Sequence, residues 1–188
     1  MGRDKLSLKI GDIPLLERVC NALAFSCEEL IVVGGERYTP SRARRVSDLR
    51  CHGEGPLAGI EAGLLYARYR SVFVAAGDMP FLARELVEYL LGLLSDDVLA
   101  AVPSLRGRWH PLCAAYGREL RPTVSSALEQ GVRSVRELLG ELPGVRYVGE
   151  AELRRFGSPN LLLMNVNSPV DLEQAQTAAR EGIIRREE

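Results

Sequence analysis

Val72-Phe73-Val74-Ala75-Ala76-Gly77-Asp78-Met79-Pro80 decides the reading of the fold. Residues 72–76 are apolar without alternation, as in a strand covered on both faces. Gly77 stops the run, and Asp78 falls just beyond the carboxyl end. Residues 82–94 then read as a helix, with Leu86, Leu90, Leu93 and Leu94 along one side. Working upstream, residues 30–33 form a second apolar run that stops at Gly34-Gly35. A helix precedes it, in which Leu15, Leu16, Val19 and Leu23 recur at helical spacing and Pro14 suits the first turn. Downstream, residues 99–102 are a third strand candidate. Residues 161–164 are a fourth, with Val166 as an extension. Ser168, Pro169 and Asp171 make a capping-box-like helix start, and Leu172, Ala175 and Ala179 supply that helix's apolar face. Strands alternating with helices predict an α/β fold with a mostly parallel sheet. Ligands in such folds bind beyond the carboxyl ends of the strands. Three polar clusters stand at those ends: Gly34-Gly35-Glu36-Arg37, Gly77-Asp78, and Asn165-Val166-Asn167.

Bulk properties narrow the function class. The chain has 188 residues, enough for one domain (1–188) with a real core. Its net charge of -1 argues against a nucleic-acid partner. No apolar run approaches the ~20 residues of a membrane helix, and the polar start at Met1 to Lys5 shows no secretory signal. The expectation is a cytoplasmic protein without a membrane partner. Cys20, Cys27, Cys51 and Cys113 form no Cys-x-x-Cys pair, and His52 and His110 lie far apart. The thiols are read as buried or incidental rather than as metal ligands.

Several constellations carry two readings each. Asp78 can hold magnesium, which takes hard oxygen donors and often only one or two carboxylates, or it can serve as a turn or cap before Pro80. The run Gly53-Glu54-Gly55-Pro56-Leu57-Ala58-Gly59 leads toward a helix over residues 60–68. It can bring backbone amides to an anion or a base, or simply cap that helix. Gly2, Arg3 and Lys5 can contact phosphate or belong to a terminus without structure. Arg133, after Gly131-Val132, can meet a phosphate or sit solvated at a helix start. His110, beside Trp109 and Pro111, is more readily a hydrogen-bonded structural histidine than a catalytic one. No nucleophile elbow and no complete phosphate loop of the Gly-x-x-x-x-Gly-Lys-Ser/Thr type occurs.

In order, these segments resemble the molybdenum cofactor guanylyltransferase family of nucleotidyltransferases. The matching stretches are Met1-Gly2-Arg3-Asp4-Lys5, Pro14-Leu15-Leu16-Glu17-Arg18-Val19, Asp48 seven positions before Gly55-Pro56-Leu57-Ala58-Gly59, and Gly77-Asp78-Met79-Pro80-Phe81. Arg108-Trp109-His110-Pro111-Leu112, Gly131-Val132-Arg133-Ser134 and Asn165-Val166-Asn167-Ser168-Pro169 follow. The resemblance implies a Rossmann-like three-layer α/β/α sandwich. It also implies transfer of GMP from GTP to molybdopterin, the molybdenum cofactor, with Mg2+ as the metal. Under it Lys5 binds the nucleotide phosphates, together with Gly2 and Arg3, and Asp48 binds GTP near the guanine. Gly55, Pro56 and Leu57 belong to the guanine pocket, and Asp78 ligates the metal. Arg133, Asn165 and Asn167 meet the pterin substrate or the reacting phosphates. Lys5, Asp78 and Asn167 are the expected catalytic residues. Molybdoenzyme apoproteins or cofactor chaperones are the expected protein partners.

The chain departs from the family pattern in two places. The family opens with a strand and a loop of the form Leu-Ala-Gly-Gly-x-Ser-x-Arg, and only the tail of that loop matches here. A strand plus a loop, roughly 15–20 residues, is expected ahead of Met1, lost through a start assigned at an internal methionine or a natural truncation. Gly77 stands where cysteine or another small residue is frequent. Two rival functions follow: a related transferase using CTP or a sugar phosphate, and a non-catalytic homologue acting as a binding partner.

Overall fold

The computed structural model describes residues 8–34, 39–47, 49–50 and 55–180. In chain order, β1 (Lys9–Ile10) and β2 (Ile13–Pro14) form a short hairpin, followed by α1 (Leu15–Ala24), β3 (Ile31–Val33) and β4 (Arg44–Val46). Then come α2 (Pro56–Tyr66), β5 (Ser71–Ala75), α3 (Arg84–Gly92), β6 (Ala100–Leu105), β7 (Arg108–Trp109) and β8 (Cys113–Gly117). After one 3-10 turn the chain continues with α4 (Arg121–Glu129), α5 (Val135–Glu141), β9 (Val145–Val148), α6 (Glu150–Leu153), α7 (Pro159–Leu162) and α8 (Pro169–Arg180).

Among the described residues the strands beyond the hairpin form two sheets. β3 pairs with β4 in parallel. The larger sheet runs β5-β8-β6-β7, with β9 on β6. β6 and β9 are parallel, whereas β8 is antiparallel to both β5 and β6. Strands β5, β6 and β9 therefore share one direction, and β8 is wedged between two of them against it.

Alternation along these strands explains the three layers. Val72, Val74, Ala100, Val102, Ala114 and Tyr116 face one way, against Leu57, Ile60 and Leu64 of α2, Val124 and Leu128 of α4, and Leu138 of α5. Phe73, Ala75, Ala101, Cys113 and Ala115 face the other way, against Val19 of α1 and Leu86, Val87 and Leu90 of α3. Because both faces are covered, neither periodic position can be polar. A third cluster joins Ile10, Leu15 and Phe81 to Ala175 and Ala178 of α8. No helix among the described residues is long and apolar enough to cross a membrane.

One sequence expectation is corrected. Residues 161–164 are not a strand: α7 covers Pro159–Leu162, and the chain then turns toward α8. A four-residue apolar run does not separate a strand from a buried helical turn. Here Ser158 and Pro159 start the turn as N-cap and first residue, and Leu162 and Leu163 bury beside Leu153.

Helix α2 holds a buried charge. Glu61 is 5% exposed, and its carboxylate accepts from Arg50 Nε at 2.7 Å and Nη2 at 2.9 Å. This two-pronged pair fastens Arg50 to α2, close to where the chain re-enters at Gly55. The Arg50 guanidinium holds the Glu61 carboxyl below its ordinary value, against the opposing effect of burial. The folded value thus lies below the unfolded one. The pair stabilises above the ordinary carboxylate value of about 4.3, and that stabilisation is lost as pH falls through the folded value. Glu61→Gln should cost about 2 kcal/mol at neutral pH, because it replaces the charged half of a buried two-pronged pair by a neutral amide. Calorimetry should record a midpoint lowered by about 4–8 °C at pH 7, with the gap closing below pH 4. Equal midpoints at pH 7 would show that the pair is dispensable.

Burial also settles the three thiols among the described residues, Cys51 lying outside them. It raises Cys20 and Cys27 to about 11 and the fully buried Cys113 to about 12. Thiolate is the reactive form, so these groups are inert at neutral pH. Iodoacetamide at pH 8 should leave Cys113 unmodified in the native protein and alkylate it after denaturation, as read by peptide mass spectrometry. Rapid native labelling of Cys113 would contradict this packing.

Candidate active site

The site is assembled at the carboxyl end of β5. The ladder there closes with Ala76 N–H donating to Leu112 O at 2.8 Å. Past Gly77 the chain presents Asp78, half-buried. Asn165 Nδ2 donates to Asp78 Oδ1 at 2.8 Å, and Val166 N–H donates to Asp78 O at 2.9 Å. One side-chain bond and one backbone bond thus join two of the polar clusters. Asn167 lies two residues further, exposed, on a backbone held by α8: its N–H and that of Ser168 donate to Asp171 Oδ2 at 2.9 and 2.8 Å. Asp171 N–H returns a bond to Ser168 Oγ at 3.2 Å, completing the reciprocal cap expected from the sequence.

The glycine-rich turn adopts a different local logic. Gly55 has φ of 77° and enters α2, whose first residue is Pro56. This left-handed conformation is tolerated by glycine and strained for other residues. Pro56 is exposed, whereas Leu57 is 0% exposed and belongs to the core. Adjacent residues therefore divide the work: Leu57 anchors the turn and Pro56 offers surface. A Cβ on Gly55 would lie 3.6 Å from the Arg133 carbonyl oxygen, so the glycine turn abuts the chain before α5. Arg133 Nη1 donates to Leu128 O at 2.7 Å and Val132 O at 3.1 Å, which ties its side chain to the end of α4. Ser134 caps α5 by accepting from Glu137 N–H.

Gly77 and Met79 flank Asp78 and line two separate cavities. Gly77 lines an apolar one of about 600 Å³ that also takes in Pro56 and Gly59. Met79 lines a polar one of about 470 Å³, together with Arg108, Trp109, His110, Arg136, Asn165 and Asn167. Trp109 stacks on Tyr147 with centroids 4.5 Å apart, and the Arg136 guanidinium lies 5.5 Å from the Trp109 ring centre. Burial, then the nearby Arg108 charge, pushes His110 below its ordinary value, so its imidazole is neutral at pH 7. The polar cavity combines two arginines, a neutral imidazole, two amides and the Asp171 carboxylate, whose Oδ2 already accepts from the Asn167 and Ser168 N–H groups; the arginines and amides suit anionic oxygens.

Among the described residues no group of three or more His, Cys, Asp or Glu side chains could hold a metal. A single carboxylate fits magnesium, which is completed by waters and substrate phosphates. Asn165 uses one of roughly four acceptor positions of the Asp78 carboxylate, leaving others for a cation.

The structure brings Asp78, Asn165 and Asn167 together around one strand end, and Gly55, Pro56 and Arg133 together around another turn. Gly2, Arg3, Lys5 and Asp48 lie outside the described residues. Arg136 escaped sequence reasoning, since one arginine in the first turn of a helix does not announce itself. His110 was set aside as structural, yet it lines the cavity that holds both asparagines.

Comparison with known proteins adds an independent line. The MobA-like NTP transferase domain matches residues 1–145. A probable molybdenum cofactor guanylyltransferase of Peptoclostridium acidaminophilum is 32% identical over 96% of this chain and 85% of its own length. The crystal structure of molybdopterin-guanine dinucleotide biosynthesis protein A from Archaeoglobus fulgidus superposes with a TM-score of 0.79 at 28% identity, covering 96% of this chain and 92% of that one. At 22% identity, 2-C-methyl-D-erythritol 4-phosphate cytidylyltransferase from Thermus thermophilus shares the fold, with a TM-score of 0.72 over 94% of both chains. With its strand-end carboxylate, capped asparagine segment and Rossmann-like α/β/α layers, the chain belongs to the molybdenum cofactor guanylyltransferase family of MobA-like NTP transferase domains, and is a nucleotidyltransferase.

Proposed function

We propose that this enzyme transfers GMP from GTP to molybdopterin, releasing pyrophosphate and forming the guanine dinucleotide cofactor. The 2.8 Å Asn165–Asp78 bond carries the reading, because it sets the strand-end carboxylate beside a cavity rich in anion-binding groups. The 32% identical guanylyltransferase supports the choice of nucleotide and acceptor. The acceptor phosphate of molybdopterin is already nucleophilic, so the protein needs no strong base and acts by positioning and charge compensation. Asp78 would hold magnesium, which when bound would supply positive charge to the triphosphate. Asn165 orients the Asp78 carboxylate, and Asn167 orients the incoming phosphate. Arg108, Arg136 and neutral His110 bind the anionic end of the acceptor. Lys5, with Gly2 and Arg3, holds the nucleotide phosphates, and Asp48 reads the guanine beside Gly55 and Pro56. Leu57 keeps that turn in place from the core. Arg133 supports the same turn through its backbone, and its guanidinium meets the substrate phosphates.

Transfer from labelled GTP to molybdopterin tests the assignment. Asp78→Ala should lower turnover by about 100-fold or more while circular dichroism stays native. Asn165→Ala should lower it by about 10-fold to 100-fold, as expected for a group that orients a metal-binding carboxylate. Near-normal transfer by Asp78→Ala would refute the role of that carboxylate. Lys5→Ala should weaken GTP binding measured by calorimetry. Excess CTP should not compete with GTP, and efficient competition would reassign the nucleotide.

A further inference from the structure

Several surface arginines are matched with carboxylates: Arg44 with Glu29, Arg70 with Asp96, Arg84 with Glu88 and Arg154 with Glu150. Arg136 differs. It stands on α5 and lines the polar cavity, and among the described residues its guanidinium pairs with no carboxylate and donates no hydrogen bond. Its contact is aromatic instead, with the guanidinium carbon 5.5 Å from the Trp109 ring centre.

Trp109 is itself fixed from several sides. The β6–β7 hairpin turns through Arg106 and Gly107 at φ of 51° and 74°, a tight connection whose two central residues are both left-handed. The turn sets Trp109 opposite Ser104, and just beyond it His110 N–H donates to Pro103 O at 2.9 Å. The indole stacks on Tyr147 of β9 with planes 26° apart. Tyr147 Oη in turn donates to Leu139 O at 3.3 Å, on the helix that carries Arg136. Hairpin, β9 and α5 thus close a ring of contacts that sets where the guanidinium stands relative to the indole.

A carboxylate holding Arg136 would neutralise it and occupy donors of its fork. An aromatic ring attracts a cation through its quadrupole and leaves the net charge in place. A long side chain restrained in this way has already lost part of its rotamer freedom, so an anion that meets it has less ordering to impose. Arg108 brings a second positive charge to the same cavity. We propose that Trp109 is a positioning residue for transfer: its indole holds the Arg136 guanidinium at the polar cavity with the charge uncompensated, and so sets the affinity for the dianionic phosphate of the acceptor. The inference rests on the molybdopterin acceptor proposed above, and it gives a role to a side chain that acts only through another.

Steady-state transfer separates this role from a packing role. Trp109→Leu should raise the KM for molybdopterin about fivefold and leave kcat and the KM for GTP within about twofold, because the ring-to-cation contact serves the acceptor alone. Trp109→Phe keeps a ring and should recover most of the affinity. Arg136→Met should raise the same KM at least about tenfold, and adding Trp109→Leu to it should raise it no further. Trp109 is also the chain's one tryptophan, so its emission reports on the cavity without any chemistry. Inorganic phosphate at pH 8, where it is a dianion, should change that emission saturably, and Arg136→Met should weaken the response at least about tenfold. A phosphate response that depends on Arg136 in a protein that transfers no GMP would keep the positioning role and remove the proposed acceptor. Equal losses in Trp109→Leu and Trp109→Phe, an undiminished effect of Trp109→Leu in the Arg136→Met background, or an emission unmoved by phosphate would overturn the inference.

Discussion

Both faces of β5, β8 and β6 are buried at once, and this constraint governs the rest of the molecule. It removes polar side chains from the strand interiors, so functional groups can stand only where the strands end. It also requires helices on both sides, which brings α2 and α1 over β5 from opposite directions. Asp78 is the first carboxylate available after five apolar residues, and its position follows from where the covered segment stops. The antiparallel β8 tightens the arrangement. By closing the ladder at Ala76 through Leu112, it holds the end of β5 beside the Trp109-His110 segment that precedes β8.

The site combines a rigid half and an anchored half. Asp78 is fixed twice, through its side chain by Asn165 and through its carbonyl by Val166. Asp171 fixes the asparagine segment in turn, so α8 both orients the polar groups and lines the cavity through that carboxylate. The glycine turn works differently, since its order comes from the core through Leu57 and from the ion pair of Glu61 with Arg50 on the same helix. Two neighbouring cavities with opposite character meet at Gly77-Asp78-Met79, one polar and one apolar.

Much of this was readable from the chain. The apolar runs at residues 30–33, 72–76 and 99–102 fall on β3, β5 and the start of β6, because unbroken apolar segments of that length need cover on both faces. The Ser168-Pro169-Asp171 cap is local chemistry and was visible as such. Residues 161–164 misled because four apolar residues fit either secondary structure. The signal that decides between them, Ser158-Pro159, lies just outside the run. β8 was not among the strand candidates, and the direction of a strand within a sheet is a tertiary property that no local pattern encodes. The contribution of Arg136 to the polar cavity was equally hidden, because it depends on how α5 packs over Trp109. Leu57 shows the reverse: the motif identified the turn, and only the structure separated its packing residue from its surface residue.

Fastening Asp78 through Asn165 and Val166 joins the end of β5 to a segment 87 residues further along the chain. The strand-end carboxylate therefore takes its final orientation only after the chain through residue 166 is in place, so the site is completed late in synthesis although its strand is made early.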